Sequence, residues 1–285
     1  GPRSRLARGA AAAPPPPQPP GALADVVEVE VAVVPGLRVR VLEASVAWQE
    51  RLIEEAVDAL EQDEAADVDP YGAALWPAAQ VLAQAVAMRV APALARGETV
   101  RVLELGAGCG LASLTAAAVG AEVLATDFRQ LPLELVAESA RRQGLGQRLR
   151  TQLLDLRDAS EPLPEADLVV ASDVLYEAVT ARAVAHRVAE ARARGSAVLV
   201  SDIGRPNRTV FLEELRRLRP GEAAEFAGRG AAVQGTRPGP GNLAPGAENE
   251  IKVELLELPP GPATEALRAE VPSVLVRPAE HAHVL

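Results

Sequence analysis

Val102-Leu103-Glu104-Leu105-Gly106-Ala107-Gly108-Cys109-Gly110 is an apolar run that ends in three glycines at alternate positions, after which Leu111 opens a helical pattern. An apolar run into a glycine turn into a helix is the first half of a βαβ unit. Glycines at 106, 108 and 110 let the backbone turn sharply and come close to a ligand with no Cβ in the way. The spacing is G-x-G-x-G. A dinucleotide fingerprint needs a further glycine at 111, where the chain has Leu111, and a phosphate loop needs Gly-Lys-Ser/Thr, which does not follow. A plain structural turn is the alternative to a ligand loop.

Outward from this turn, short apolar runs alternate with helical patterns, the signature of a parallel sheet. Strands are predicted at 100–105, 122–126, 150–154, 168–171 and 197–201, and helices at 111–119, 131–143, 179–194 and 208–218. Residues 251–255 alternate and 274–276 are apolar, which predicts a closing antiparallel pair and seven strands in all. On the N-terminal side, 26–34 and 37–42 alternate about Pro35-Gly36, a β-hairpin signal. Ser45 is positioned to cap a helix, and a second helix starts at Trp76-Pro77 and is expected to be disturbed at Pro92. The predicted fold is α/β, a Rossmann-like seven-stranded mostly parallel sheet with helices on both faces and an N-terminal hairpin and helix extension. Its parts are a tail at 1–24, the extension at 25–68, and the main domain at 69–285 with a Gly/Pro-rich loop at 235–246.

Acids recur where the predicted strands end. Asp127 closes the second strand, Asp155 follows the third, Asp173 the fourth and Asp202 the fifth. Open α/β sheets bind ligands at that carboxyl edge, and an acid at the position of Asp127 can accept both hydroxyls of a ribose; a helix N-cap is its other reading. Asp155 reads equally as a receiver of an adenine amino group and as a solvated loop residue.

The glycine loop preceded by Glu104 resembles motif I of the seven-strand S-adenosylmethionine-dependent methyltransferases. Ala171-Ser172-Asp173-Val174-Leu175-Tyr176 resembles the D-x-x-Y/F pattern of the protein-lysine methyltransferases called methyltransferase family 16, and Asp69-Pro70-Tyr71-Gly72-Ala73-Ala74-Leu75-Trp76-Pro77 resembles the W-P motif of the same group. Ser201-Asp202-Ile203-Gly204-Arg205-Pro206 is similar to the G-D-P-G-R-P run of the electron-transfer-flavoprotein β-subunit lysine methyltransferase branch, with Ser201 and Ile203 departing from it. Gly120-Ala121-Glu122-Val123 with Leu131-Pro132 is closer to a branch that acts on histone arginine. The resemblance covers about residues 67–219. It implies S-adenosylmethionine as cofactor, held by Trp76, Glu104, Gly106, Gly108, Gly110, Asp127, Asp155 and Ser172, a protein lysine as acceptor, and Asp173 and Tyr176 as the catalytic pair. A cap and a core ring are the structural alternatives for that pair. Arginine or small-molecule acceptors, or a silent assembly subunit, are the competing functions.

The pattern fits amine chemistry. A lysine ammonium must lose its proton before it can attack a methyl group. An aromatic slot favours the neutral amine by desolvation, a carboxylate at its mouth orients the incoming cation, and displacement then depends on alignment. No enzyme nucleophile is needed: His186 sits in a helical pattern, His281 and His283 sit near the end of the chain, and Cys109 reads as a small residue beside the cofactor.

Composition sets the outer bounds. The formal net charge of -10, from 39 acids against 29 bases, is the wrong sign for a chain that neutralises phosphates, so nucleic acid is not the expected partner. One cysteine and three histidines leave no metal centre to expect. Charges, glycines and prolines interrupt each apolar stretch, so no bilayer span is expected. Only seven residues are aromatic, so the core rests on Leu, Val and Ala. Residues 1–24 hold Arg3, Arg5 and Arg8, no acid, and the proline block 14–20; such a segment reads as disordered and like the tail of a transit peptide for mitochondrion or chloroplast, a cytoplasmic linker being the alternative. The expected partner is a protein substrate, with a monomer favoured.

Overall fold

The computed structural model describes residues 23, 25–62, 69–218 and, as backbone, 253–257. The hairpin is β1 (Val26–Val34) and β2 (Leu37–Ala44), paired antiparallel about Pro35 and Gly36, whose φ of 85° is the left-handed value a two-residue turn needs. Ser45 caps α1 (Val46–Gln62): its hydroxyl oxygen accepts the Trp48 N–H at 3.2 Å. Then come α2 (Pro77–Ala95), β3 (Arg101–Leu105), α3 (Leu111–Val119), β4 (Glu122–Asp127), α4 (Gln130–Arg142), β5 (Leu149–Leu153), β6 (Leu168–Ser172), α5 (Ala178–Ala193), β7 (Ala197–Asp202), α6 (Arg208–Leu218) and β8 (Val253–Glu257).

The second sheet has the order β5-β4-β3-β6-β7-β8, with every pair parallel. Neighbouring residues divide between two cores, as the two-residue period of a strand requires. Val102, Leu168, Val170 and Leu199 join α2, α3, α4 and the hairpin. Leu103, Leu105, Val169, Ala171, Val198 and Val200 join α5 and α6. Helices therefore cover both faces, and the chain reverses direction across the sheet between β3 and β6, the switch point where such folds bind ligands.

One expectation is corrected, at Pro92, and others fall outside the described residues. Strand β8 runs parallel to β7, with Val253 opposite Val198; the antiparallel partner expected for it, 274–276, lies outside the described residues. A parallel neighbour follows from a crossover connection, and α6 lies in that connection. Six strands of this sheet are described; the expected strand at 274–276, the tail at 1–22 and the loop at 235–246 lie outside the described residues. Helix α2 continues through Pro92 to Ala95. The carbonyl that this proline leaves without a donor belongs to Met88, on the exposed side of the last turns, where water can serve it. With 19 residues, α2 is also long and apolar enough by composition to cross a membrane; here Leu82, Ala83, Val86 and Val90 are core residues.

The hairpin is held by Ser139 of α4 and by Gln143, the residue that caps the C-terminus of that helix. Ser139 Oγ accepts the Leu42 N–H at 3.0 Å, Gln143 Oε1 accepts the Arg40 N–H at 2.8 Å, and Gln143 Nε2 donates to the Arg40 carbonyl at 2.7 Å. These bonds cover the outer edge of β2. Ser139→Ala should leave the Leu42 N–H buried and unpaired, costing about 1 to 2 kcal/mol, and a urea midpoint shifted by that amount is the measurement that checks it.

Candidate functional site

The turn after β3 has positive φ at all three glycines, 64° at Gly106, 51° at Gly108 and 71° at Gly110. Sterics reinforce the conformational demand at two of them. A Cβ at Gly106 would lie 2.7 Å from Val174 Cγ1, and one at Gly110 would collide with Val136. A Cβ at Gly108 would sit 3.4 Å from the Gly72 carbonyl oxygen, narrowing the gap between the glycine turn and the 69–76 loop. That loop is itself held by the hairpin, since the Ala44 N–H donates to the Ala73 carbonyl at 2.9 Å and the Leu75 N–H to Glu43 Oε2 at 2.9 Å.

Asp127 ends β4 beside this turn and is 5% exposed. Its Oδ2 accepts the Gly108 N–H and its Oδ1 the Arg129 N–H, each at 3.0 Å. Burial pushes its carboxyl up to about 6, against the lowering effect of those two N–H groups. Each oxygen retains a lone pair for a further donor. Glu104, 1% exposed, is pushed up to about 7, chiefly by burial. One of its oxygens, Oε2, accepts the Ser113 N–H at 2.9 Å, while Oε1 is buried with no hydrogen-bond partner among the described residues.

The D-x-x-Y segment leaves β6 at the same edge. Ser172 is half-buried at the end of the strand. Asp173 has φ 59°, the only positive value at a non-glycine among the described residues, and its N–H donates to the Ser201 carbonyl at 2.9 Å. Both its carboxylate oxygens are engaged by Arg205, Nε to Oδ1 at 2.6 Å and Nη2 to Oδ2 at 3.0 Å. The guanidinium carbon lies 5.5 Å from the Trp76 ring centroid. Trp76 in turn meets Tyr71 edge to face at 5.9 Å and donates its Nε1–H to the Tyr71 carbonyl at 3.1 Å. The Tyr71 hydroxyl oxygen is buried without a partner among the described residues. Tyr176 is 40% exposed; desolvation raises its hydroxyl's pKa, with Asp69 and Asp127 adding to the rise and Arg157 opposing it. Tyr176 thus lies within electrostatic reach of Asp69 and Asp127.

Asp155 lies near the end of β5, and Arg157 engages both its oxygens, at 2.9 Å from Nε and 2.9 Å from Nη2, while the Arg157 N–H donates to Oδ1 at 2.9 Å. That pairing holds its carboxyl below the usual range. The ring of Phe128, the residue after Asp127, carries the guanidinium groups of Arg129 at 4.8 Å and Arg157 at 5.4 Å from its centroid. A cleft of about 390 Å³ opens on the other side of the 69–76 loop, between α1 and the start of α4.

The glycine turn, Glu104, Asp127, Ser172, Asp173, Tyr176 and Trp76 thus gather at one sheet edge, with Asp155 tied into its own turn. Two members of the cluster, Arg205 and Tyr71, have no role in the sequence reading beyond the motifs that contain them. The donor set suits the cofactor that the sequence resemblance implies. Two buried acids, one with an orphaned oxygen, fit a ligand that brings cations and hydroxyl donors, and a turn without Cβ atoms fits close approach of its methionine arm. Among the described residues no group of three metal-ligating side chains is present.

The sequence model of a family described as lysine methyltransferase matches residues 55–217. A curated relative, the histone-arginine methyltransferase METTL23 of Rattus norvegicus, is 36% identical over an alignment of 117 positions that covers 38% of this chain and 48% of the relative. The chain thus spans about half the length of the curated relative it matches. Among solved structures, a TehB-like SAM-dependent methyltransferase from Corynebacterium glutamicum is 18% identical, covering 61% of this chain and 84% of its own, with a TM-score of 0.38. A SAM-dependent methyltransferase from Agrobacterium tumefaciens is 20% identical, covering 54% and 41%, with a TM-score of 0.34.

Proposed function

Because the chain belongs to the lysine methyltransferase family, we propose that it transfers a methyl group from S-adenosylmethionine to a lysine side chain of a protein substrate. The observation that supports a side-chain nitrogen as acceptor is the Tyr71–Trp76 ring pair, with the Arg205 guanidinium that holds Asp173 lying over Trp76, at the edge that carries the glycine turn. These are two of only seven aromatic residues, and a chain so poor in rings has drawn them together at the site.

Bound S-adenosylmethionine supplies an electrophilic methyl group on a sulfonium. Asp127 offers its free lone pairs to the ribose hydroxyls, and Glu104 offers buried negative charge near the glycine turn. Gly106, Gly108 and Gly110 let the backbone close on the donor. The aromatic slot disfavours an ammonium by desolvation, so the amine sheds its proton to water on entering. With the donor bound, the slot would hold the nitrogen for attack on the methyl, and alignment would do most of the catalytic work.

A second reading, arginine as acceptor, is favoured by the name of the Rattus norvegicus relative. The two separate in one experiment. The purified chain is incubated with isotopically methyl-labelled S-adenosylmethionine and a methylation-depleted cell extract, and the protein is hydrolysed to amino acids. Labelled methyl-lysine is expected. Labelled methyl-arginine alone would replace lysine by arginine, and no label from a chain that binds the donor would identify a silent methyltransferase fold.

A further inference from the structure

Asp173 is the carboxylate that the sequence reading gives to the acceptor, yet both its oxygens are already held. Two parallel N–H···O bonds from Arg205, at 2.6 and 3.0 Å, make a forked pair, which is stronger and more directional than a point-charge contact. The Asp173 side chain is 3% exposed and that of Arg205 18%, so solvent screens the pair little. Arg205 is fixed in turn. The Asp202 carboxylate accepts the N–H groups of Gly204 at 2.7 Å and Arg205 at 3.0 Å, and it pairs with Arg208 at 2.8 Å. The guanidinium carbon also lies over the Trp76 ring, 5.5 Å from its centroid. Ser172 stands opposite Ser201 in the β6–β7 register, which brings the loops bearing Asp173 and Arg205 together. The left-handed backbone at Asp173 is strained for a non-glycine residue, and it occurs here where the carboxylate meets the loop after β7.

We infer that Arg205 is a positioning residue for methyl transfer, and that Asp173 serves the acceptor as half of a charge-neutral Asp173–Arg205 pair that walls the acceptor slot beside Trp76. The inference rests on the methyltransferase reading above and deepens it. An acceptor nitrogen at this wall meets no uncompensated carboxylate, so the wall does not hold it as a cation, and a lysine amine must be uncharged to attack. A substrate guanidinium, which stays charged, would find the carboxylate fork occupied.

Opposed single substitutions and their combination test this. Asp173→Asn keeps the shape, and asparagine tolerates a left-handed backbone; it leaves the Arg205 guanidinium without a counter-charge. Arg205→Met keeps the length and a soft contact with Trp76; it bares the Asp173 carboxylate. The double variant removes both charges. Each full-length variant is assayed with labelled S-adenosylmethionine on the extract fraction that the wild type labels, and donor affinity is measured by calorimetry. Each single variant is expected to lose about thirtyfold or more in kcat. In Arg205→Met the apparent KM for the fraction should stay level or fall while kcat drops, because a bare carboxylate retains the ammonium. Arg205→Lys, with the charge but not the fork, should lie in between. Donor affinity should change by less than about threefold, and the double variant should recover to within about tenfold of wild type. That recovery is the decisive result, since two members of one pair are non-additive whereas a carboxylate that touches the acceptor cannot be restored by removing Arg205. A double variant as poor as Asp173→Asn, or single variants at wild-type turnover, would overturn the inference and leave the methyltransferase reading in place. A wild type that binds donor and labels nothing would remove both. If Arg205→Met does not fold, because it buries a lone charge, the comparison of the double variant with Asp173→Asn still decides.

Discussion

Asp127→Ala is expected to weaken S-adenosylmethionine binding by about thirty- to a thousandfold, equivalent to roughly 2 to 4 kcal/mol for two hydrogen bonds to a charged acceptor. The carboxylate stands at the end of β4, 5% exposed, with one lone pair on each oxygen committed to Gly108 and Arg129. What remains is a fork for a pair of hydroxyls. Alanine removes that fork and also frees the Gly108 N–H, so the glycine turn loses the anchor that joins it to β4. Asp127→Asn keeps one acceptor oxygen and should fall between. Calorimetric titration with S-adenosylmethionine and with S-adenosylhomocysteine measures the loss, and melting of the cofactor-free chain separates it from unfolding. An affinity within about threefold of wild type, on a scale where one such bond is worth tenfold, would show that Asp127 serves only the turn.

Asp127 and the glycine turn were legible in the sequence because their meaning is local: a strand, a turn and an acid follow one another in the chain, and each letter pattern specifies its own geometry. The same holds for the hairpin about Pro35-Gly36, for the Ser45 cap, and for α6, whose predicted and observed bounds agree. Direction was less legible. Alternation at 251–255 marks a strand but not its sense, which depends on the connection that delivers it, and β8 is parallel. Pro92 shows a similar limit, since the cost of an internal proline depends on whether water reaches the carbonyl it leaves unpaired. At the site, Asp155 has its two readings in the sequence, while the Arg157 pairing that occupies it depends on a loop closing on itself. Arg205 is 32 residues from Asp173. Nothing in either segment announces the partner; the β6–β7 register does, and register is a property of the sheet.

The second large effect concerns the cofactor-free protein and its buried acids. Glu104 keeps its proton up to about 7 because burial disfavours its charge, whereas the unfolded chain releases that proton near 4.5. Between these values the unfolded state binds fewer protons than the folded one, so stability falls as pH rises and the fall is complete above the folded value. The shift corresponds to a loss of roughly 3 kcal/mol. Asp127, raised from 3.8 to about 6, adds a fall of the same sign over a lower window. Glu138 and Glu214 act in the opposite sense: hydrogen bonds from Arg141 and from Arg217 hold them at about 2, so their contribution grows with pH and is complete by about 4.5. The interval from pH 4.5 to 7 therefore isolates the buried pair among these four acids. Urea unfolding across that interval should show the wild type losing stability steadily. Glu104→Gln, which can still accept the Ser113 N–H, should lose about half as much over the same range, because the term that persists belongs to Asp127. Saturating S-adenosylmethionine, a cation beside the same acids, should flatten the wild-type profile, since it favours their ionised forms. An unchanged slope in Glu104→Gln would mean that the Glu104 carboxyl is ionised in the folded chain, and the buried oxygen without a partner would then need a counter-charge that the fold has not supplied.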